Sequence, residues 1–464
     1  MIWNCPIHHT SASQKCRYNE PVICFLSIVL QHPPALTLNP MSFFDDLTWR
    51  GLIHQTTAPD QMGAWLASGS RCVYAGFDPT ADSLHVGSLL PVMMLRRFQQ
   101  AGHRPIALVG GATGMIGDPS GKSEERNLLS VDSLRANVAG IEQQLRQFLD
   151  FDGPHAAILL NNFDWMGKFS YLEFLRDVGK HFPVSVMLGK DSVKSRIERD
   201  SGISYTEFSY MLLQAYDFVH LQQQHGCELQ LGGSDQWGNI TAGIDLARRM
   251  HSVQLFGLTC PLLLTTDGRK MGKTEKGSVF LSAKRTSPYA FYQYWINVAD
   301  ADAGMCLRFL TELSQTVIEA LDASRTNEAH LRASQKRLAE ELTRLVHGEA
   351  GLQAALAATA IFFGAEIENL NDEQLNDIFA DVPSKELPKT RLGSGEFTLS
   401  DALVEAGLAK SKSDARRTVE QGGAYINNRA RQPFDLKLTL ADLASETVMV
   451  VRSGKKKYAL LRFV

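Results

Sequence analysis

At 464 residues, with 44% hydrophobic and 21% charged side chains, the chain is globular rather than disordered or fibrous, with room for about three domains of ~150 residues. A formal net charge of only −3 gives no global electrostatic footprint of a polyanion binder. Seven cysteines, an odd number without a Cys-x-x-Cys pair, argue against a disulfide framework and a zinc site and for a reducing, cytoplasmic setting.

In chain order, residues 1–40 have no sustained periodicity, and their apolar run Val22–Leu30 is too short to span a bilayer. Met41-Ser-Phe-Phe-Asp-Asp reads as a natural start, so 1–40 is expected to be an N-terminal extension, disordered or a mis-chosen translation start. No other segment reads as a membrane span. From Arg71 to Met250, short apolar runs alternate with amphipathic stretches. The expected strands are Cys72–Ala75, Ile106–Val109, Ala157–Leu160 and Glu228–Leu231. The expected helices are Leu89–Gln100, Val131–Leu149, Tyr205–Leu221 and Ile240–His251. Such alternation predicts an α/β, doubly wound, mostly parallel sheet over 41–286, with ligands beyond the carboxyl ends of its strands. Residues 287–382 read as all-helical, and Pro383, Pro388, Gly393 and Gly395 mark a linker over 383–396. The last segment, 397–464, reads as a small α+β module. It carries 12 Lys+Arg against 7 Asp+Glu, net +5 on a chain otherwise at −8, an asymmetry that suits a polyanion partner.

Five stretches carry chemistry. The sequence GGATGMIGDPSGKS (Gly110–Ser123) has the look of a phosphate loop but fails both templates. The P-loop spacing would put a glycine at Ile116, and the dinucleotide fingerprint does not fit glycines 110, 111, 114 and 117. In YAGFDPTADSLHVGS (Tyr74–Ser88), His85 stands at the start of a helix, where free N–H groups favour phosphate. Gly87 permits close backbone approach, and Ser88 is placed to cap. GRKMGKTEKG (Gly268–Gly277) sets Lys270 and Lys273 three apart on a glycine-rich loop, suited to neutralising a leaving polyphosphate. In LGGSDQWGN (Leu231–Asn239), Asp235 can accept from ribose hydroxyls and Gln236 can donate to a carboxylate. Tyr210, Gln214 and Asp217 recur at i, i+4 and i+7, one polar stripe on one helix. Taken singly, each stretch also reads as a solvated turn, a plain cap or a solvated helix face.

Together they closely resemble the bacterial tyrosyl-tRNA synthetases, a class I aminoacyl-tRNA synthetase family, from about Met41 to the C-terminus. HVGS stands at that family's His-Ile-Gly-His signature and KMGKT at its Lys-Met-Ser-Lys-Ser. GGATGMIGDPSGK, FLRDVGKHF, TEFSYMLLQAYDF and GGSDQWGNI carry the remainder. The resemblance implies a Rossmann-like catalytic domain, a helical anticodon-recognition domain and a C-terminal RNA-binding domain. It implies activation of L-tyrosine by ATP, accompanied by Mg²⁺ but without a protein metal site, and transfer to tRNA(Tyr) by a homodimer. By the same resemblance Tyr74 and Asp217 read the phenol, Asp118, Tyr210 and Gln214 the ammonium, and Gln236 the carboxylate. Gly76, Asp78, Gly87, Ser88, Gly233 and Asp235 hold ATP. Thr80, His85, Lys122, Arg126, Lys270 and Lys273 stabilise the leaving pyrophosphate, Lys122 and Arg126 from a mobile clamp. Ser88, Ala75, Gly272 and Thr274 depart from the family pattern, which bears on fine affinity. The segment FTLSDALVEAGLAKSKSDARRTVEQGGAYINN resembles a small RNA-binding domain of a ribosomal protein and pseudouridine synthases. Lys410, Lys412, Arg416 and Arg417 are its basic residues, and Gly422, Gly423 and Asn427 match its turn.

Overall fold

The computed structural model describes residues 41–120, 129–197, 202–275, 277–368, 370–380, 382–455 and 457–464. The extension 1–40 and the clamp residues Lys122 and Arg126 lie outside the described residues.

Six strands form the first sheet: β1 (Gln55–Thr56), β2 (Cys72–Phe77), β3 (Arg104–Val109), β4 (Ile158–Asn161), β5 (Cys227–Gly233) and β6 (Phe256–Cys260). Their order is β1-β6-β5-β2-β3-β4, parallel throughout except for β1. The alternation within β2 shows why it is central. Val73, Ala75 and Phe77 enter one core cluster, whereas Tyr74 enters another on the opposite face. Helices Leu89–Gln100 and Val131–Phe148 cover the first face; Tyr205–His225 and Trp237–His251 cover the second. With both faces covered, the strands read as apolar runs rather than as clean alternation. The four expected strands are present. β2 and β5 run two residues further at their carboxyl ends than the apolar pattern indicated, so Gly76 and Gly233 lie within strands. From β2 the chain adds β3 and β4 on one side and then crosses to add β5 and β6 on the other, and this switch point opens a crevice at the carboxyl ends of β2 and β5.

Past Ser287, which caps a helix with Pro288 at its first position, the chain is helical: Pro288–Ile296, Asp300–Leu310, Gln315–Asn327 and Ala333–Phe362. The last of these kinks at Gly348 (φ 71°, ψ 178°). Contrary to the sequence reading, one segment, Ala329–Phe362, is long and apolar enough to cross a membrane, with mean hydropathy 1.2 over 18 residues. Much of that value comes from small alanines, and its larger residues Leu338, Leu342, Val346 and Leu352 pack into the core shared with the first sheet.

The expected linker needs correction. Ser384–Leu387 (β9) is a strand, parallel to the last strand of a second sheet. That sheet runs β11 (Arg429–Ala430), β10 (Ala424–Ile426), β12 (Val448–Ser453), β13 (Lys457–Phe463), β9. Proline and glycine on either side of β9 suggested a break, but Leu387 is buried in the module core and the ladder is made. Asn428 (φ 64°) donates to the carbonyls of Ile361 and Ala365 at 2.8 and 2.7 Å, satisfying orphan acceptors where the helix Ala333–Phe362 ends.

Candidate active site

Beyond the carboxyl ends of β2, β3 and β5 lies a cavity of 270 Å³, adjoining a second of 250 Å³. Pro91, Gly233, Asp235 and Lys270 line both. The first also takes in Tyr74, Gly76, Asp78, Asp118, Tyr210, Gln214, Asp217 and Gln236. The second brings in His85, Gly87 and Lys273. All five sequence-distant stretches thus meet in one place. Thr80, exposed beyond Asp78, and Ser88 line neither cavity. Ser88 also makes no side-chain cap; a 3₁₀ turn over Val86–Ser88 leads into the helix instead.

The deep end is polar and buried. The Asp217 carboxyl, 2% exposed, accepts from the Trp165 indole N–H at 2.8 Å and from Asn162 Nδ2 at 3.0 Å. Burial nevertheless pushes its pKa up to about 7, outweighing those two bonds, and the Asp78 charge adds to the rise. Tyr74, 1% exposed on the neighbouring strand, has a hydroxyl with no hydrogen-bond partner. Its pKa is raised by burial and then by the charge of Asp217. Gln230, the register partner of Tyr74, is 2% exposed with an unpartnered Oε1. Unpaired buried polar atoms are costly, so this end of the cavity suits a ligand that brings a hydroxyl.

Midway, Tyr210 donates to Asp78 Oδ2 at 3.0 Å, and Thr113 donates to Asp78 Oδ1 at 2.9 Å. Asp118 accepts from Gln236 Nε2 at 2.7 Å and from the Ser120 backbone N–H at 2.8 Å. Gln214 Nε2 donates to Gln236 Oε1 at 3.2 Å. Tyr210 therefore pairs with Asp78, a residue assigned from sequence to ATP, rather than with Asp118. Burial, then Asp78, then Asp118 hold its phenol protonated. Among the described residues, four carboxylates (Asp78, Asp118, Asp217 and Asp235) and one cation, Lys270, line the cavity. That imbalance suits a cationic group such as an ammonium. The stripe Tyr210, Gln214, Asp217 is accordingly a lining, not a solvated face. Gly110 is required here, because a Cβ would collide with oxygens of Asp78 and Thr113.

At the mouth, the lysine loop is tied to the His85 segment by backbone bonds. Val86 N–H donates to Val279 O at 3.0 Å and Leu281 N–H to Leu84 O at 2.8 Å. Met271 is buried beneath it, while Lys270 and Lys273 stand exposed. Lys273 lies on a two-stranded ribbon, β7 (Lys273–Thr274) with β8 (Gly277–Ser278). Gly272 sits at φ 79°, and a Cβ there would lie 2.6 Å from Val86 Cβ; this accounts for glycine where the family signature has serine. The His85 ring lies over Gly87, whose added Cβ would meet Cε1 at 2.8 Å. Gly76 faces open space where a planar group can approach.

Sequence reasoning missed Thr113, Asn162, Trp165 and Gln230. Asn162 was within reach, since it directly follows the carboxyl end of β4. Trp165 offered no signal, because its role depends on a short helix turning the indole back toward Asp217. The four basic residues of the C-terminal module are all exposed. Three of them are matched locally: Lys412 with Asp401 (2.8 Å), Arg416 with Glu420 (2.7 Å) and Arg417 with Asp414 (2.8 Å). Asn427 is an internal brace, donating to Asp442 O and accepting from Val450 N–H.

A crevice at the switch point of a doubly wound sheet, with a cationic loop at its mouth and acidic groups within, marks the class of α/β enzymes that act on a nucleotide together with a small substrate. The family described as tRNA synthetases class I (W and Y) matches residues 68–364, and the tyrosine–tRNA ligase SYY-like C-terminal domain matches 374–461. The tyrosine–tRNA ligase of Rhodopirellula baltica is 60% identical over 421 residues, covering 91% of this chain and 96% of that relative. That of Roseiflexus castenholzii is 52% identical over 424 residues, covering 91% and 100%. Among solved structures, a C-terminally truncated mitochondrial tyrosyl-tRNA synthetase from Aspergillus nidulans is 31% identical with a TM-score of 0.63, covering 69% of this chain and 94% of that one. The chain belongs to the class I tRNA synthetases, in the tyrosine–tRNA ligase branch.

Proposed function

We propose that the chain condenses L-tyrosine with ATP to tyrosyl-adenylate and pyrophosphate, then passes the tyrosyl group to the 3′-terminal ribose of tRNA(Tyr). The observation that carries this reading is the division of one crevice into a buried floor with unpartnered polar atoms, an acidic middle and a cationic mouth.

Tyrosine enters with its phenol toward Tyr74 and Asp217, its ammonium beside Asp78, Asp118, Tyr210 and Gln214, and its carboxylate toward Gln236. ATP lies along Gly76, Gly87, Gly233 and Asp235, its polyphosphate beneath His85, Lys270 and Lys273. One carboxylate oxygen attacks the α-phosphorus in line, the bond to the bridging oxygen breaks, and the charge passes to pyrophosphate. No protein nucleophile is needed. The residues supply position and charge stabilisation, contributions that reach several kcal/mol when donors are prearranged. Mg²⁺ arrives with the polyphosphate and offsets part of its charge. Lys122 and Arg126 belong to the same reading as cations added from the Gly110–Ser123 stretch; adenylate formation unchanged in Lys122→Ala would remove them from it. Thr80 and Ser88 stay in the proposal only as residues next to the lining.

The C-terminal module contributes phosphate contacts to tRNA through Lys410, Lys412, Arg416 and Arg417, exchanging weak surface ion pairs for phosphate. The segment 287–382 is the proposed anticodon-recognition region. Exposed apolar side chains on the short helices near the tyrosine pocket, Phe163, Tyr171, Leu172 (75% exposed), Val184 and Val186, favour a homodimer that covers them. A cytoplasmic setting accompanies these roles.

Amino-acid-dependent exchange of pyrophosphate into ATP, without tRNA, tests the first step. Exchange with tyrosine, and none with phenylalanine or tryptophan, is the expected result. Folded protein that exchanges with none of the three would overturn the reading.

A further inference from the structure

Below the floor of the tyrosine pocket, at the opposite ends of the same two strands, Cys72 and Cys227 face each other. They are register partners on adjacent parallel strands, β2 and β5, so their side chains leave the sheet on the same face. Neighbouring strands lie about 4.7–4.9 Å apart, inside the roughly 4.4–6.8 Å Cα separation that a disulfide spans. The Cys227 thiol reaches toward Cys72, with Sγ 3.6 Å from Cys72 O and 3.7 Å from Leu229 O. The register shifts between Cys72 and Val73, so the ladder is already irregular at this point. Cys72 is partly exposed and Cys227 fully buried behind it.

We infer that Cys72 and Cys227 form a peroxide-responsive disulfide, a modification site separate from the crevice and independent of the activity proposed above. Cys72 is the entry point. The neighbouring Cys227 thiol and then the guanidinium of Arg104, its partner on β3, hold its thiol below the ordinary range. Cys227 is the resolving thiol, kept protonated by burial until it reacts. The other described cysteines, Cys260 and Cys306, are buried, and burial pushes the Cys260 thiol up to about 12.

The steps balance. The Cys72 thiolate attacks one oxygen of a hydroperoxide; an S–O bond forms, the O–O bond breaks, and water or an alcohol leaves after taking a proton. Cys227 sulfur then attacks the sulfenic sulfur; S–S forms, S–O breaks, and the hydroxyl leaves as water with the Cys227 proton. Two thiols and one peroxide give one disulfide, one water and one water or alcohol. In a reducing compartment such a bond is transient, which fits a responsive rather than a structural role. It would pin β2 to β5 one side-chain layer beneath Tyr74 and Gln230.

The test treats the full chain with equimolar hydrogen peroxide, blocks remaining thiols with iodoacetamide and maps non-reduced peptides by mass spectrometry. The expected result is a peptide pair linked through Cys72 and Cys227, released by dithiothreitol. In Cys227→Ala, whose lost thiol leaves Cys72 unresolved, dimedone should label Cys72. Both cysteines alkylated after peroxide would overturn the inference. So would Cys72 oxidised to sulfinic acid beside an alkylated Cys227, or Cys72 linked to a different cysteine.

Discussion

At the floor of the crevice Asp217 is 2% exposed and held from two sides, by an indole at 2.8 Å and an amide at 3.0 Å. At its mouth Lys270 and Lys273 stand in solvent on a glycine-rich loop. In the proposed function the two regions meet different parts of the substrates, and they are built differently. Telling a phenol from a phenyl ring takes polar groups that are buried, oriented and left unpaired when the hydroxyl is missing. Stabilising charge that grows on a departing polyphosphate takes cations that reach outward from the backbone, and a loop anchored by Met271 leaves the two lysine side chains exposed to do so.

Four measurements would break or sharpen that contrast. Lys273→Ala should have the largest effect, slowing tyrosyl-adenylate formation by about 10²–10³-fold in rapid-quench experiments, with tyrosine affinity within about twofold of wild type. A comparable loss of tyrosine affinity would mean that the two ends are not separable. Asn162→Ala should lower kcat/KM for tyrosine by roughly 10-fold while leaving the chemical step at saturating tyrosine little changed, since it frees one buried bond to Asp217.

A third test uses pH. The carboxyl of Asp217 goes from an ordinary 3.8 to about 7 on folding, so between these values the folded chain keeps a proton that the unfolded chain has lost. Its contribution to stability is full below about 4 and is lost as pH rises through about 7. Urea midpoints of wild type should therefore fall relative to those of Asp217→Asn across that window; parallel curves would mean that Asp217 is ionised at acid pH. The smallest effect belongs to Arg417→Ala, far from the crevice. Adenylate formation should not change, and the salt dependence of tRNA binding should flatten by about one unit in log–log slope.

Much of the site was legible because its residues follow strand ends. Asp78, Asp235 and Gln236 come directly after apolar runs, and a doubly wound sheet directs such residues to one edge. Helical spacing put Tyr210, Gln214 and Asp217 on one stripe but left a solvated face open; the resemblance, not the spacing, made it a lining. Other parts depended on three-dimensional proximity that spacing does not encode. Nothing in the sequence pairs Tyr210 with Asp78 rather than Asp118, because the choice depends on the Gly110 turn bringing Thr113 against Asp78. The two-residue strand β1 is too short for any periodicity. The strand β9 was lost for a different reason: punctuation by proline and glycine outweighed four residues with one apolar position, although its register partners lie 76 residues later (Ser384 against Leu460) and decide the matter.

That strand bears on where the polypeptide can be cut. A fragment begun at Phe397 would leave out β9 and turn β13 (KYALLRF) into an open edge, an invitation to pair with another copy. It would also strip Leu375, Ile378 and Phe379 from beneath Val448, Val450 and Leu460. A fragment begun near residue 365 keeps that edge strand and Leu375, Ile378 and Phe379, but gives up Ala358 and Ile361 of the same cluster and the Ile361 carbonyl that Asn428 bonds. The packing of the C-terminal sheet thus reaches back more than thirty residues before the start of the RNA-binding resemblance.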